Sequence, residues 1–369
     1  GVECRVWIQH ARPALPQVCD PAQHLLRGAL AKVRQRREPS VARRLFQLVF
    51  VLWGGATLLF ILFYVVGGNP AERMASGGGS RNPDPQVVAN LEKRLGIDKP
   101  MPQQYIDYLS RTVRGDLGES YRTREPVVDI AKRRAPTSFR LAFWAVMIEA
   151  PVGIGSGMLS ARKRNSIGDY VTTIAAVVAS AIPVFVLAYM LRQVTGVYAY
   201  QHGWPEWARF PTIGFGDDEW VLGVIPTGNT WRHLIQPAFV LAAVGTAMLA
   251  RITRTSMLET MRLDHVRTAR AKGLGEKQVM RKHVLRNAMI PVITILGIDF
   301  GTMVGAAVLT ETVFNLPGLG SQIVQSAKDL DMPVVLGLTM IVMFVYGLMS
   351  LLVDLSYAYF NPRVRLGDD

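Results

Sequence analysis

The chain has 369 residues, half of them hydrophobic, with 41 Lys and Arg against 28 Asp and Glu and a formal net charge of +13. Soluble domains reach the same apolar fraction, so distribution decides, and here the apolar residues gather into runs of about 20, the length a helix needs to cross a bilayer core. The basic residues fall in short stretches between those runs, with no basic patch interleaved with aromatics, which sets nucleic-acid binding aside and fits the positive-inside rule.

Residues 1–40 are irregular, with Pro13, Pro16, Pro21 and Pro39 and a basic run at Lys32, Arg34, Arg36 and Arg37. They read as a flexible cytoplasmic extension; the missing initial Met leaves an upstream translation artefact open. Cys4 and Cys19, the two cysteines, both lie here, so no disulfide framework or Cys-based metal site is expected in the membrane part. The first apolar run begins near Leu45, so no cleavable signal peptide is evident.

The first membrane segment, 41–66, has its apolar span over about Leu45 to Val66 behind Arg43 and Arg44, and Gly67-Gly68-Asn69-Pro70 ends it in a turn. Residues 67–137 are polar and, by alternation, extracytoplasmic. Within them Pro85 to Leu95 and Gln103 to Val113 read as amphipathic helices, and Gly115 to Gly118 as a turn. Residues 138–366 hold five more spans, near 138–160, 170–191, 234–251, 288–309 and 334–357. Pro183 interrupts the third, and Pro291 is expected to kink or open the fifth. The outside loop after the third span carries Trp204, Trp207, Asp217, Asp218, Glu219 and Trp220, and Trp suits the membrane interface. Arg162, Lys163 and Arg164, and the charged loop 256–287, then lie inside with both termini. The expected fold is all-α and polytopic, with six transmembrane helices.

The loop 256–287 is the most informative segment. Asp264-His265-Val266-Arg267-Thr268-Ala269-Arg270-Ala271-Lys272-Gly273-Leu274 reads as a short helix and a Gly turn. A second helix carries Val279, His283, Leu285, Arg286 and Asn287 into the membrane. Val266 and Ala269, three apart, share one helix face, and small Ala269 and Ala271 let the helix approach another surface closely. A basic loop that merely orients the chain on anionic lipid needs the charge alone. It does not need this ordered layout.

Here the chain resembles the permeases of binding-protein-dependent ABC importers. The loop is similar to their EAA motif, with Thr268-Ala269-Arg270 where Glu-Ala-Ala gives the motif its name. Gly115-Asp116-Leu117-Gly118-Glu119-Ser120, and Leu95-Gly96-Ile97-Asp98-Lys99-Pro100 followed by Gln104-Tyr105, resemble outer-loop motifs of the B-type peptide permeases. Glu311-Thr312-Val313-Phe314 with Pro317-Gly318-Leu319-Gly320 resembles the segment after the fifth span. Asp354-Leu355-Ser356-Tyr357 with Asn361-Pro362-Arg363-Val364-Arg365 resembles the C-terminal signature. Gly67-Gly68-Asn69-Pro70 departs from the usual Pro-Gly-Asp-Pro type turn, and residues 1–40 have no counterpart in the family.

The resemblance implies a type I importer permease core and an ATPase-coupling set of His265, Val266, Thr268, Ala269, Arg270, Gly273, Leu274, His283 and Asn287. It implies a second permease subunit, two ABC ATPases, an extracytoplasmic solute-binding protein and membrane lipid as partners, in the inner membrane. Peptides are the implied solute, with nickel, glutathione or another small solute as alternatives.

Charges inside spans are rare and default to functional hypotheses. Glu149 and Asp299 lie midway through the second and fifth spans and are the candidates for the translocation path. The competing role is a protonated or paired carboxylate between helices, and Glu149, beside Pro151, is placed to bond freed backbone groups. Gly297, Gly301 and Gly305 recur every four residues and read as a packing stripe. No Gly-x-x-x-x-Gly-Lys-Ser/Thr loop and no His-Glu-x-x-His pattern occurs. The chain is therefore expected to bind no cofactor and to be no enzyme, ATP being used by partner subunits. An ion-coupled secondary transporter would use Glu149 and Asp299 as a proton relay, but no inverted repeat with paired broken helices is visible. A membrane anchor or receptor is the remaining alternative.

Overall fold

The structure is a computed structural model and describes residues 40–66, 69–75, 84–96, 98–214, 220–221 and 223–360. Cys4, Cys19, the extension to residue 39, Gly67, Gly68, Ile97, Asp217 to Glu219 and the Asn361 to Arg365 signature lie outside the described residues. Phe50–Val353 form one compact unit; the described parts of a second, residues 40–49 and 354–360, are helical.

In chain order the helices are α1 (Ser40–Phe60, continuing in wider turns over Ile61–Val66), α2 (Pro70–Ala75), α3 (Pro85–Leu95), α4 (Met101–Val113), α5 (Val127–Arg162) and α6 (Ile167–Ala181). There follow α7 (Val184–Arg192), α8 (Thr230–Thr260), α9 (Asp264–Ala271), α10 (Leu285–Val313), α11 (Leu319–Lys328) and α12 (Met332–Phe360). A two-residue hairpin, β1 (Trp220–Val221) with β2 (Ile225–Pro226), is the described sheet. The helices α1, α5, α8, α10 and α12 are long and apolar enough to cross a membrane, and α6 with α7 passes the same test as a pair bent by 99°.

That bend is where Pro183 was expected to interrupt the third span. Ile182 is extended (φ −84°, ψ 122°), as a residue before proline prefers, and Pro183 restarts the helix. Pro291 behaves differently, because α10 runs helical through it. The departure from regular α geometry lies upstream, in wide turns over Val279–Val284.

The helix that carries the second span begins earlier than the span's hydropathy suggests. The Val127 N–H donates to the Gly118 carbonyl (3.0 Å), and Val127, Ile130 and Ala131 are buried with Leu319, Val334 and Leu338. Residues 127–137 are therefore the first turns of α5, their apolar face covered by α11 and α12 while Asp129, Lys132 and Arg133 stay exposed.

The main core joins α5, α8 and α10 through Leu141, Ala145, Leu234, Leu241, Met303 and Ala307. Glycines set the closest approaches. A Cβ at Gly157 of α5 would lie 2.6 Å from the Ala250 carbonyl oxygen of α8. The stripe on α10 faces α12: a Cβ at Gly297 would meet Val353 at 2.5 Å and one at Gly301 would meet Met349 at 3.0 Å. The stripe is thus a helix-packing device within this chain.

Helix α3 starts at Asp84, whose side chain accepts from the Gln86 N–H (2.9 Å), and stops at left-handed Gly96 (φ +69°). Tyr105 of α4 meets Phe60 edge-on and Tyr108 lies tilted against it, at ring separations of 5.3 and 5.7 Å. The Gly115–Ser120 motif is pinned to the start of α12, because Asp331 accepts from the Ser120 hydroxyl (2.5 Å) and the Tyr121 N–H (2.9 Å).

Candidate functional site

The residues expected to couple gather near the Arg162 end of α5. Helix α9 is eight residues long, too short to be stable by propensity alone, so its position depends on tertiary contacts. Val266 and Ala269 supply them. They are 0% and 4% exposed and lie in a cluster with Ala161, Met257, Val279, Met280, Val284 and Ala288. The surface that Ala269 approaches therefore belongs to this chain's own bundle. Ala271 is exposed, as are His265, Arg267, Thr268 and Lys272, so the opposite face of α9 is polar and open.

The turn after α9 is built as its sequence requires. Gly273 has φ +77°, a backbone region that side chains with a Cβ seldom adopt, and its N–H donates to the Arg270 carbonyl (2.9 Å). Leu274 packs back onto the buried cluster. Arg270 reaches across the turn to Glu276 with two hydrogen bonds of 2.8 and 3.1 Å. Their hydrogen bonding holds the Arg270 guanidinium above its ordinary pKa. Both side chains are solvent-exposed, so the pair contributes below about 1 kcal/mol and acts mainly to fix geometry.

Three residues named separately in the sequence meet here. Asn287 Nδ2 donates to His265 Nε2 (2.9 Å) and to the His283 carbonyl (3.2 Å). This ties α9 to the first turn of α10, the helix that carries Asp299. A movement imposed on α9 has a polar and an apolar linkage into that span.

Glu149 and Asp299 form a pair. They interact electrostatically across α5 and α10. Glu149 is fully buried, and among the described residues neither of its oxygens has a hydrogen-bond partner, nor does Asp299 Oδ2. Glu149 therefore does not bond backbone freed by Pro151. Gly245 of α8 makes its space, since a Cβ there would lie 2.7 Å from Glu149 Oε1.

One polar network near the site, around Asp169 and Arg254, had no local sequence signal. Asp169, at the start of α6, accepts two hydrogen bonds of 2.8 Å from Arg254 of α8 and one of 3.0 Å from the Asn165 N–H. The Ser160 hydroxyl also bonds it, joining α5, α6 and α8 at the end where α9 lies. At the other end Glu311 is fully buried, accepting from the Ser138 hydroxyl (2.6 Å) and the Ser321 N–H (2.9 Å) in the first turn of α11. A Cβ at Gly318 would overlap that carboxyl group. The Glu311 and Gly318 motifs are thus one helix-capping unit.

Comparison with known proteins places these features in a family. Residues 153–366 match the model of the binding-protein-dependent transport system inner membrane component, and residues 40–142 match the corresponding N-terminal model. The dipeptide transport system permease protein DppB of Alkalihalophilus pseudofirmus is 36% identical over 337 residues, 88% of this chain and 98% of the relative. DppB of Escherichia coli K12 is 37% identical over 340 residues, with the same coverage. The glutathione transport system permease protein GsiC of Escherichia coli O6:H1 is 36% identical over 329 residues, again covering 88% and 98%. Among solved structures, a chain of an amino acid ABC transporter aligns over 64% of this chain and 95% of its own, with a TM-score of 0.44 and 17% identity. Apart from residues 143–152 of α5, the two family matches cover the five apolar helices and the bent pair, and the chain belongs to the inner membrane components of binding-protein-dependent transport systems.

Proposed function

We propose that the chain is the permease subunit of an ATP-driven importer of di- or oligopeptides, with α9 as the helix that docks on an ATPase. The observation that carries the reading is the two-faced geometry of α9. Its apolar face is clamped to the bundle by Val266 and Ala269, while Arg267 and Thr268 are exposed on the other side. A loop that only supplied charge would need neither the clamp nor the Asn287 tie. The full coupling set is His265, Val266, Thr268, Ala269, Arg270, Gly273, Leu274, His283 and Asn287. In this reading Val266, Ala269 and Leu274 hold the helix, Gly273 and Arg270 shape its end, and His265, His283 and Asn287 link it to α10.

The partners are a second permease subunit, two ATPases, a solute-binding protein outside and the surrounding lipid. This chain binds no cofactor, and ATP is hydrolysed on the partner subunits. Both termini and residues 256–287 lie on the cytoplasmic side, with 67–137 and 196–232 outside. A cysteine at position 275 in intact cells is expected to resist an impermeant thiol reagent, and one at exposed position 106 to react. Labelling of position 275 from outside would overturn the orientation.

Peptides as the solute have the support of the DppB relatives. A glutathione solute has the support of GsiC. Reconstituted vesicles holding the assembled transporter, given its binding protein outside, test the reading. Uptake of labelled dipeptide is expected with ATP inside and not with a proton gradient alone; uptake on the gradient alone would make it a secondary transporter.

Glu149 and Asp299 line the solute path in this proposal and meet a cationic group of the solute. Asp299→Asn is then expected to assemble normally and lower uptake at least about tenfold, the value of one contact of about 1.4 kcal/mol. An unassembled, degraded variant would assign the pair to packing.

A further inference from the structure

A cavity of about 310 Å³ opens at the Val127 end of α5. It lies on the order of 50 Å from the α9 end by the rise of a 36-residue helix. Both outer-loop motifs converge on it: Gly96, Lys99 and Gln104 come from one, and Asp116 to Glu119 from the other. Its floor is the first turns of α12, through Leu336 and Met340. The volume falls at the lower end of small-ligand sites.

The charges on its wall are of both signs. Lys99 and Asp107 neutralise each other in a 2.6 Å ion pair, and hydrogen bonding to Lys99 holds the Asp107 carboxyl below its usual pKa. Arg111, Arg124, Asp116 and Glu119 also line the cavity, and none of these four has an ion-pair partner among the described residues. Arg111 also acts electrostatically on Asp107, and Asp116 Oδ1 accepts from the Gly118 N–H (3.0 Å), but no ion pair joins the two guanidinium groups to the two carboxylates. A guanidinium fork matches a carboxylate, and a carboxylate matches an ammonium group. The complement of this wall is a small molecule bearing both charges.

We propose that this cavity is a low-affinity site for a free short peptide, its carboxylate on Arg111 or Arg124, its ammonium on Asp116 or Glu119, and an apolar side chain on the α12 floor. The inference rests on the peptide reading above. It adds a second peptide site, separate from Glu149 and Asp299 and placed against the opposite end of the bundle from α9. Because Ser120 and Tyr121 are bonded to Asp331 at the start of α12, the occupied cavity bears on the span against which the Gly297 stripe packs.

The test is a titration of the full chain, in nanodiscs of uncharged phosphatidylcholine, with alanyl-leucine. Saturable binding is expected, at least about tenfold weaker for N-acetyl-alanyl-leucine and for alanyl-leucine amide, each of which lacks one charge. Arg111→Gln with Asp116→Asn is expected to lower affinity by the same factor or more, with an unchanged size-exclusion profile. Both side chains are exposed, and Asn at 116 keeps an Oδ1 acceptor for the Gly118 N–H, so the variant keeps its fold. Equal binding of all three probes, no saturation, or undiminished binding by the double variant would overturn the site. Dipeptide uptake by the assembled transporter separates the two claims. Uptake with no saturable cavity binding faults the cavity alone. Cavity binding without dipeptide uptake faults the proposed solute alone.

Discussion

Ala269→Asp is expected to remove folded protein from the membrane, not simply to uncouple transport. The side chain at 269 is 4% exposed and lies among Val266, Val279, Met280 and Val284. A carboxylate there has no cation within the cluster, and an unpaired buried charge costs about 3–5 kcal/mol. That is a large part of a typical domain's stability of about 5–15 kcal/mol. The chain escapes by detaching α9, which exposes the cluster, or by failing to fold. Either outcome lowers the amount of monodisperse protein extracted in detergent severalfold. Thr268→Asp, one residue away on the exposed face, is expected to leave that amount unchanged while lowering solute-stimulated ATP hydrolysis in the assembled complex. Stable, assembled Ala269→Asp protein lacking only ATPase stimulation would place Ala269 against the partner instead.

The contrast between these neighbours marks what the sequence reveals. The spacing of Val266 and Ala269 puts them on one face, and the structure buries that face. Which surface covers it was not readable, because a small apolar residue fits a partner or its own bundle equally well. The amphipathic outer helices were legible: Pro85–Leu95 is as expected, and the second begins at Met101 instead of Gln103. The turn at Gly273 was legible because left-handed backbone favours glycine. Hydropathy did not reveal that the helix of the second span starts as early as Val127, since the apolar face of its first turns is covered by contacts with α11 and α12 that a local window does not contain. Glu149 and Asp299 were each visible as charges inside apolar runs, but their pairing depends on how α5 meets α10. Asp169 and Arg254, 85 positions apart, carried no signal because each is unremarkable in its own segment.

Replacing Gly273 by Val should abolish uptake and solute-stimulated ATP hydrolysis together, by at least about tenfold, while insertion and assembly persist. A Cβ at 273 would meet nothing within 4 Å, so the substitution brings no clash. The strain lies in the backbone alone. At φ +77° a residue with a side chain pays roughly 1–2 kcal/mol, and a β-branched residue is a still poorer fit. Relief comes from turning the chain at 273 to negative φ. That breaks the Gly273 N–H to Arg270 contact and the reach of Arg270 to Glu276, and it swings the C-terminal end of α9. The buried Val266 and Ala269 contacts are upstream and hold the chain folded. Gly273→Asn is the matched control. Asn tolerates left-handed angles, adds similar bulk and leaves the net charge unchanged. It is expected to keep most of the uptake. A loop whose only task is to orient the chain would be indifferent to both neutral substitutions. Normal uptake by stably expressed Gly273→Val protein would therefore remove α9 from the coupling role, and equal loss in both variants would show that bulk, not backbone geometry, is what position 273 excludes.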